Sequence, residues 1–270
     1  MYLFLIVLLI LGILFFGYMW FEAGNVELNR VRFAKGSRGL KILHLTDIHI
    51  DLLRVKTKKV SKIIMKESPD FILMSGDYIS RPSHIPMFLK FLNEIKGNNK
   101  IYLCLGNHDY EAFLRDKKDG LQQYMKKVEE AGVTILHDNA EVFEKDNIKY
   151  NIIGITDYRR GKHDLDSAFK NCSKDSKINI AFSHNPDIVL EIPRDKVDYL
   201  FCGHFHGGQI WMPFDLEFKV LRKEKLCKMG IKRGLHKING INLYISKGLG
   251  NVLFPLRLFS RPEITVYHIN

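Results

Sequence analysis

Cysteine is scarce in this sequence, and four residues in 270 cannot build a disulfide-stapled domain. Cys104 and Cys202 lie in apolar, strand-like runs, while Cys172 and Cys227 sit far apart in polar stretches, without the spacing of a zinc knuckle. No internal repeat recurs, which excludes solenoids and propellers. No stretch is simple enough in composition to be a long linker. With 20 glycines and 8 prolines the chain is neither collagen-like nor disordered. Charge is missing altogether from residues 1–21. That run also lacks a basic segment before it, a twin-arginine pair and a small-x-small cleavage pattern after it, which argues against a cleaved export signal.

What residues 1–21 do contain is Leu, Ile and Phe, in a run long enough to cross the roughly 30 Å hydrocarbon core of a bilayer. Tyr18, Trp20 and Phe21 stand where an interfacial aromatic belt belongs. The reading is a single-pass cell-membrane anchor over residues 1–21, a juxtamembrane segment with the first strand over 22–40, and one catalytic domain over 41–270. Arg30, Arg32, Lys35, Arg38 and Lys41 follow the apolar run, so the positive-inside rule favours a cytoplasmic domain. The net charge of +11 comes from 41 basic against 30 acidic residues and calls for an anionic partner. Beside a membrane span, the membrane surface and a phosphorylated small-molecule or lipid-linked substrate fit best. Nucleic acid is disfavoured, because the basic residues are not interleaved with aromatic stacking platforms.

Short runs rich in β-branched and aromatic residues predict strands at 41–46, 71–75, 101–105, 150–156, 178–183, 199–202, 243–246 and 264–268. Helical spacing predicts helices at 55–67, 85–95 and 121–131, the last ending at Gly132. The order β-α-β-α-β followed by further strands predicts a mixed α/β sheet architecture with helices outside, as opposed to a purely parallel sheet.

Nearly every predicted strand ends in a polar cluster. In order these are Asp47-Ile48-His49, Gly76-Asp77, Gly106-Asn107-His108-Asp109, Ser183-His184-Asn185 and Gly203-His204-Phe205-His206. Ligands in sheet proteins gather at strand ends. Carboxylate with imidazole suits Zn, Mn or Fe, whereas calcium would want more carboxylates and fewer histidines. Any one fragment reads equally well as a turn or a hydrogen-bonded core histidine. Five of them, each at a strand end, point to a metal site.

These fragments, in the order D-x-H, G-D, G-N-H-D, H and G-H-x-H, resemble the signature of the calcineurin-like metallophosphoesterases, with every element present from Lys41 onward. Ser183-His184-Asn185-Pro186-Asp187, the run from Gly203 through Gln209, Gly248-Leu249-Gly250 and Arg261-Pro262-Glu263 resemble its bacterial, membrane-associated branch of YkuE- and YaeI-type enzymes. That branch also contains a pyrophosphatase of UDP-diacylglucosamine. The resemblance implies a four-layer α-β-β-α sandwich and two divalent ions (Mn, Zn, Fe or Mg). It implies that Asp47, His49 and His206 bind one ion, that Asn107, His184 and His204 bind the other, and that Asp77 bridges them, with a bridging hydroxide attacking phosphorus. His108 would act on the phosphate or the leaving oxygen, and Asp109 would hold its tautomer.

The expected activity is hydrolysis of a phosphodiester or pyrophosphate bond at the membrane surface. A phosphomonoesterase or protein phosphatase would use the same metal centre, and a silent metal-binding scaffold would normally have lost one of these residues. Two further regions bear on specificity. Arg257 and Arg261 could clamp a second phosphate. Residues 219–237 carry eight Lys or Arg against one Glu, readable either as a solvated loop or as a cap that lies on anionic lipid.

Overall fold

The computed structural model describes residues 1–33, 39–115 and 119–269; Lys35 and Arg38, counted above after the apolar run, lie outside them. The helices are α1 (Tyr2–Gly24), α2 (Thr57–Glu67), α3 (Ile85–Lys96), α4 (Asn107–Glu111), α5 (Gly120–Glu130), α6 (Leu165–Lys170), α7 (Leu216–Leu221) and α8 (Lys225–Lys228). The strands are β1 (Glu27–Arg32), β2 (Leu40–Leu45), β3 (Phe71–Ser75), β4 (Lys100–Cys104), β5 (Thr134–Ile135) and β6 (Asn139–Lys145). They continue with β7 (Ile148–Gly154), β8 (Ile178–Phe182), β9 (Tyr199–Cys202), β10 (Gly234–Ile238), β11 (Ile241–Ile245) and β12 (Glu263–Ile269).

They form two six-stranded sheets, ordered β1-β12-β2-β3-β4-β5 and β10-β11-β9-β8-β7-β6. Both are mixed. β2 through β5 run parallel, with β12 antiparallel to β2. β7, β8, β9 and β11 run parallel, with β6 and β10 antiparallel at the two edges.

Period-two alternation in the apolar strands feeds two cores at once. In β3, Ile72 and Met74 face the helices while Phe71 and Leu73 face the other sheet. The outer layer packs because α3 buries Phe88, Phe91, Leu92 and Ile95, a helical stripe, alongside Val60 and Ile64 of α2 and Tyr124 and Val128 of α5. Between the sheets Phe201 and Tyr267 stack with centroids 3.8 Å apart, a pairing worth about 0.5–1.5 kcal/mol beyond the area it buries. On the far side Ala181, Leu200 and Cys202 meet Ile188, Val189 and Leu226. The layers are therefore α-β-β-α, as expected. All four cysteines are free.

The predicted strands and helices are present with small shifts at their ends. Three strands had no element assigned at their positions: β5 is two residues long, β6 mixes Glu141, Glu144 and Lys145 with apolar residues, and β10 is five residues long and includes Gly234, His236 and Lys237. Both β6 and β10 lie at sheet edges. β1 joins the first sheet through β12, so the segment after the apolar run is part of that sheet.

Helix α1 is long and apolar enough to cross a membrane, and its side chains stand almost entirely away from the rest of the protein. At 23 residues it is about 34 Å long. Its last turn is different, because Met19, Glu22 and Ala23 are buried. The Ser260 amide donates to Glu22 Oε1 at 2.9 Å and the Arg257 amide donates to the Met19 carbonyl at 3.2 Å. Arg54 lies over the Trp20 ring, 3.4 Å from its centroid. Glu22→Leu leaves the Ser260 amide buried without an acceptor. The expected loss is about 1–3 kcal/mol, read as a fall of roughly 2–10 °C in the Tm of the detergent-solubilised chain.

Candidate metal centre

The parallel strands of each sheet end on the same side, and the polar clusters lie in the loops that leave them. Asp47 and His49 follow β2, Asp77 follows β3 and Asn107 opens α4 after β4; from the second sheet, His184 follows β8, and His204 and His206 follow β9. Five of these residues turn through the left-handed region: Asp47 at φ 52°, His49 at 38°, Asp77 at 60°, His204 at 74° and His206 at 52°. That region costs an ordinary residue about 1–2 kcal/mol and is tolerated best by Asn, Asp and His. The turn is what aims each side chain into the gap between the sheets.

Three overlapping groups result. Asp47, His49 and His206 form one triad, Asp77, His184 and His204 form a second, and His49, Asp77 and His108 link the two, each with donor atoms within 4.8 Å of one another. Asp47 Oδ1 lies 3.1 Å from His206 Nε2. Asp77 Oδ2 lies 3.0 Å from His184 Nε2 and 3.6 Å from His49 Nε2, so one carboxylate reaches both sets. His184 Nε2 and His204 Nδ1 are 3.1 Å apart. The Asn107 side chain is buried with its Oδ1 unpartnered, and His49 Nε2 and His206 Nδ1 are also buried without hydrogen-bond partners. Orphaned polar atoms converging on a carboxylate-imidazole set fit divalent cations, which would satisfy them.

Charge in this gap is strongly perturbed. Burial pushes His49 down to about 3 in spite of Asp77. Burial would also depress His184, but the Asp77 carboxylate overrides it and holds that imidazole up at about 10. Asp77 is held well below the carboxylate range by His184, against its own burial.

The remaining loop groups fix the donors in place. His184 Nδ1 lies 2.9 Å from the Ser75 carbonyl, which makes it the protonated nitrogen and leaves Nε2 for the gap. The His204 amide donates to Asp47 Oδ1 at 3.0 Å, and the His108 amide donates to Asp77 Oδ1 at 2.9 Å. The Leu249 and Gly250 amides donate to the Thr46 and Asp47 carbonyls, and Gln209 is bonded through both ends of its amide to the 252–254 loop. Two glycines are required by close approach. A Cβ at Gly106 would overlap Asp77 Oδ1, and one at Gly203 would overlap Asp47 Oδ2 and Thr46 Oγ1.

Three sequence assignments change. Asp109 does not hold the His108 ring; it is fully buried and accepts the amides of Asp77, Tyr78, Ile79 and Gly106 at 2.9–3.1 Å. Burial and the Asp77 charge push its carboxyl up to about 7 against the pull of those amides. Arg257 is not a phosphate clamp, because it is fully buried and donates to the carbonyls of Ser260, Lys247 and Gly248, bracing the loop behind His206. Arg261 donates to the Asn25 carbonyl at the exit of α1. Against Arg257 and Arg261 the reason is the same: backbone carbonyls of the loops already take up the guanidinium donors.

Two acids escaped sequence reasoning. Glu224 Oε1 lies 2.9 Å from His204 Nε2, and that contact holds the Glu224 carboxyl at about 2 despite its burial. It reads in the sequence only as the lone acid of a basic run, which is a weak signal. Glu111 Oε2 stands 3.8 Å from His108 Nδ1, one helical turn on, a spacing that could have been noticed. His108 itself is half-buried with its ring centroid 5.0 Å from that of His49. Gly203→Ala is expected to displace Asp47 while leaving the sheets intact, lowering metal affinity by about 10–100-fold, measured by metal analysis after dialysis against unchanged circular dichroism.

The calcineurin-like phosphoesterase family model matches residues 40–208. The chain is 32% identical over 233 residues to the metallophosphoesterase YkoQ of Bacillus subtilis, covering 85% of this chain and 83% of that one. It is 30% identical over 267 residues to phosphodiesterase YaeI of Escherichia coli, covering 94% and 92%. It is 27% identical over 280 residues to the UDP-2,3-diacylglucosamine pyrophosphatase LpxG of Chlamydia muridarum, covering 84% and 83%. The family match spans all five polar clusters in full and ends at Gly208, so the loops that build the gap are the loops the family shares. The chain accordingly belongs to the calcineurin-like phosphoesterases, and is a metal-dependent phosphoric ester hydrolase.

Proposed function

We propose that the gap holds two divalent metals, Mn, Zn, Fe or Mg, and that the enzyme hydrolyses a phosphodiester or pyrophosphate bond in a lipid-linked or nucleotide-linked molecule at the membrane surface. The observation that carries the dinuclear reading is the single Asp77 carboxylate standing within reach of His49 on one side and His184 on the other. Asp47, His49 and His206 hold one ion, and Asn107, His184 and His204 hold the other. Bound there, the ions supply Lewis acidity toward water and toward the phosphoryl oxygens.

The chain's own residues do the rest. The Ser75 carbonyl and Glu224 fix the rings of His184 and His204, so that each presents one nitrogen to the gap. His108 is anchored through its amide on Asp77, and its half-exposed ring is free to donate to a phosphoryl oxygen or to protonate the leaving oxygen. Phosphodiesterase and pyrophosphatase relatives support a diester or anhydride over a monoester.

The membrane reading draws on the end of α1. Tyr18 meets Phe259 with centroids 6.5 Å apart, and Phe259 meets Trp211 at 6.0 Å. Phe254, Phe259 and Trp211 are exposed there, on loops that follow His206 or are tied to it through Arg257 and Gln209. An apolar rim beside the exit of a membrane-length helix suits a domain lying against the bilayer, with its metal gap next to the headgroups.

The full chain in detergent, stripped with a chelator, should lose turnover of bis-p-nitrophenyl phosphate and of a UDP-sugar, and regain it on addition of Mn. Absence of turnover on either substrate and on p-nitrophenyl phosphate, with every metal, would overturn the assignment. His108→Ala should keep its metal content and lose about 100–1000-fold in kcat. Wild-type turnover in that variant would remove His108 from the mechanism.

A further inference from the structure

A cavity of about 400 Å³ opens beside the second triad, and nothing in the metal chemistry uses it. Asn185, next in the chain to His184, and Glu224, the partner of His204, both line it, so it shares a wall with the metal gap. Its other walls bring together Arg159, Arg222, Lys223 and Lys225. The acids in the lining are already committed. Asp187 accepts the amides of Lys225 at 2.7 Å and Leu226 at 2.9 Å, which pins the basic segment over the site, and Glu224 holds His204. Among the described residues, Arg159, Arg222 and Lys223 form no ion pair, while the neighbouring Arg160 is paired with Glu111. The Arg222 guanidinium carbon lies 5.8 Å from the ring centroid of Phe205, the residue between His204 and His206.

Three uncommitted cations around a concave space adjoining a metal centre form an anion site. The forked donors of arginine match phosphate geometry. We propose that this cavity is a second-phosphate subsite: it binds the phosphate adjacent to the one that the metals hold, and so selects diphosphates over isolated phosphodiesters. The inference rests on the proposed phosphoesterase function and narrows its substrate class. It also gives the basic segment a role at the site in place of a solvated loop. A second phosphate is common to nucleoside diphosphates and lipid diphosphates, and the site as described recognises the part they share.

Binding tests it independently of turnover. The Mn-loaded full chain is titrated calorimetrically with methylenediphosphonate and with methylphosphonate. The wild type should prefer the diphosphonate by about tenfold or more, and Arg159→Gln with Arg222→Gln should bring that ratio close to one. Lys223→Gln alone should lower it by a smaller factor, which keeps the test open if the double variant fails to fold. Equal affinity for the two ligands in the wild type, or an undiminished preference in the folded variants, would overturn the proposal. In parallel, KM for UDP-glucose and for farnesyl diphosphate is followed in the same variants. A rise confined to one of them identifies whether the nucleotide or the lipid diphosphate uses the subsite. Turnover of bis-p-nitrophenyl phosphate by the wild type separately tests the underlying phosphoesterase function, so a wild type that keeps diesterase activity but shows no diphosphate preference condemns the subsite alone.

Discussion

Asp47 and Asp77 leave the first sheet, and their carboxylates find partners on loops of the second. Asp47 takes the amide of His204 and faces His206, and Asp77 faces His184. Two buried carboxylates would each cost several kcal/mol if left alone. Here each is shared between layers, and the opposed faces of the sandwich are stitched together at the candidate metal centre. The left-handed turns at Asp47, His49, Asp77, His204 and His206 are tolerable because this network determines them from several sides. The close approaches at Gly106, against Asp77 in the neighbouring loop of the same sheet, and at Gly203, against Asp47 and Thr46 of the other sheet, follow from it, since side chain can meet backbone there only where no Cβ intervenes.

A second tier holds the first. Asp109 gathers the amides of the β3 loop, Asp187 gathers those at the start of α8, and Arg257 gathers carbonyls from three loops. None of these groups faces the metal gap, yet each fixes the backbone that carries a donor. This explains why the recognisable sequence pattern extends past the ligands: Asp187, Gln209, Leu249 and Gly250 all bind loop backbone.

The interior strands could be read from the sequence because burial on both faces leaves an unmistakable mark. β3 is five fully buried residues, the first four an unbroken apolar run, found where expected. The candidate metal donors could be read because Asp and His at successive strand ends have few other reasons to recur. The supporting residues could not. Arg257 looks like a surface arginine, since nothing local announces that backbone carbonyls will surround it. Glu224 lies 20 residues from His204 and meets it only when the basic segment folds back. The edge strands β6 and β10 resemble loops because charge protects their open sides.

The last turn of α1 hydrogen-bonds to the same 257–260 loop that braces His206, with no slack between helix and domain. A domain on a loose leash would sample many heights and tilts above a bilayer. This one has a single reach. With α1 in a membrane, the enzyme would meet only phosphates presented at that fixed depth, and its search for substrate would become a two-dimensional one within the leaflet.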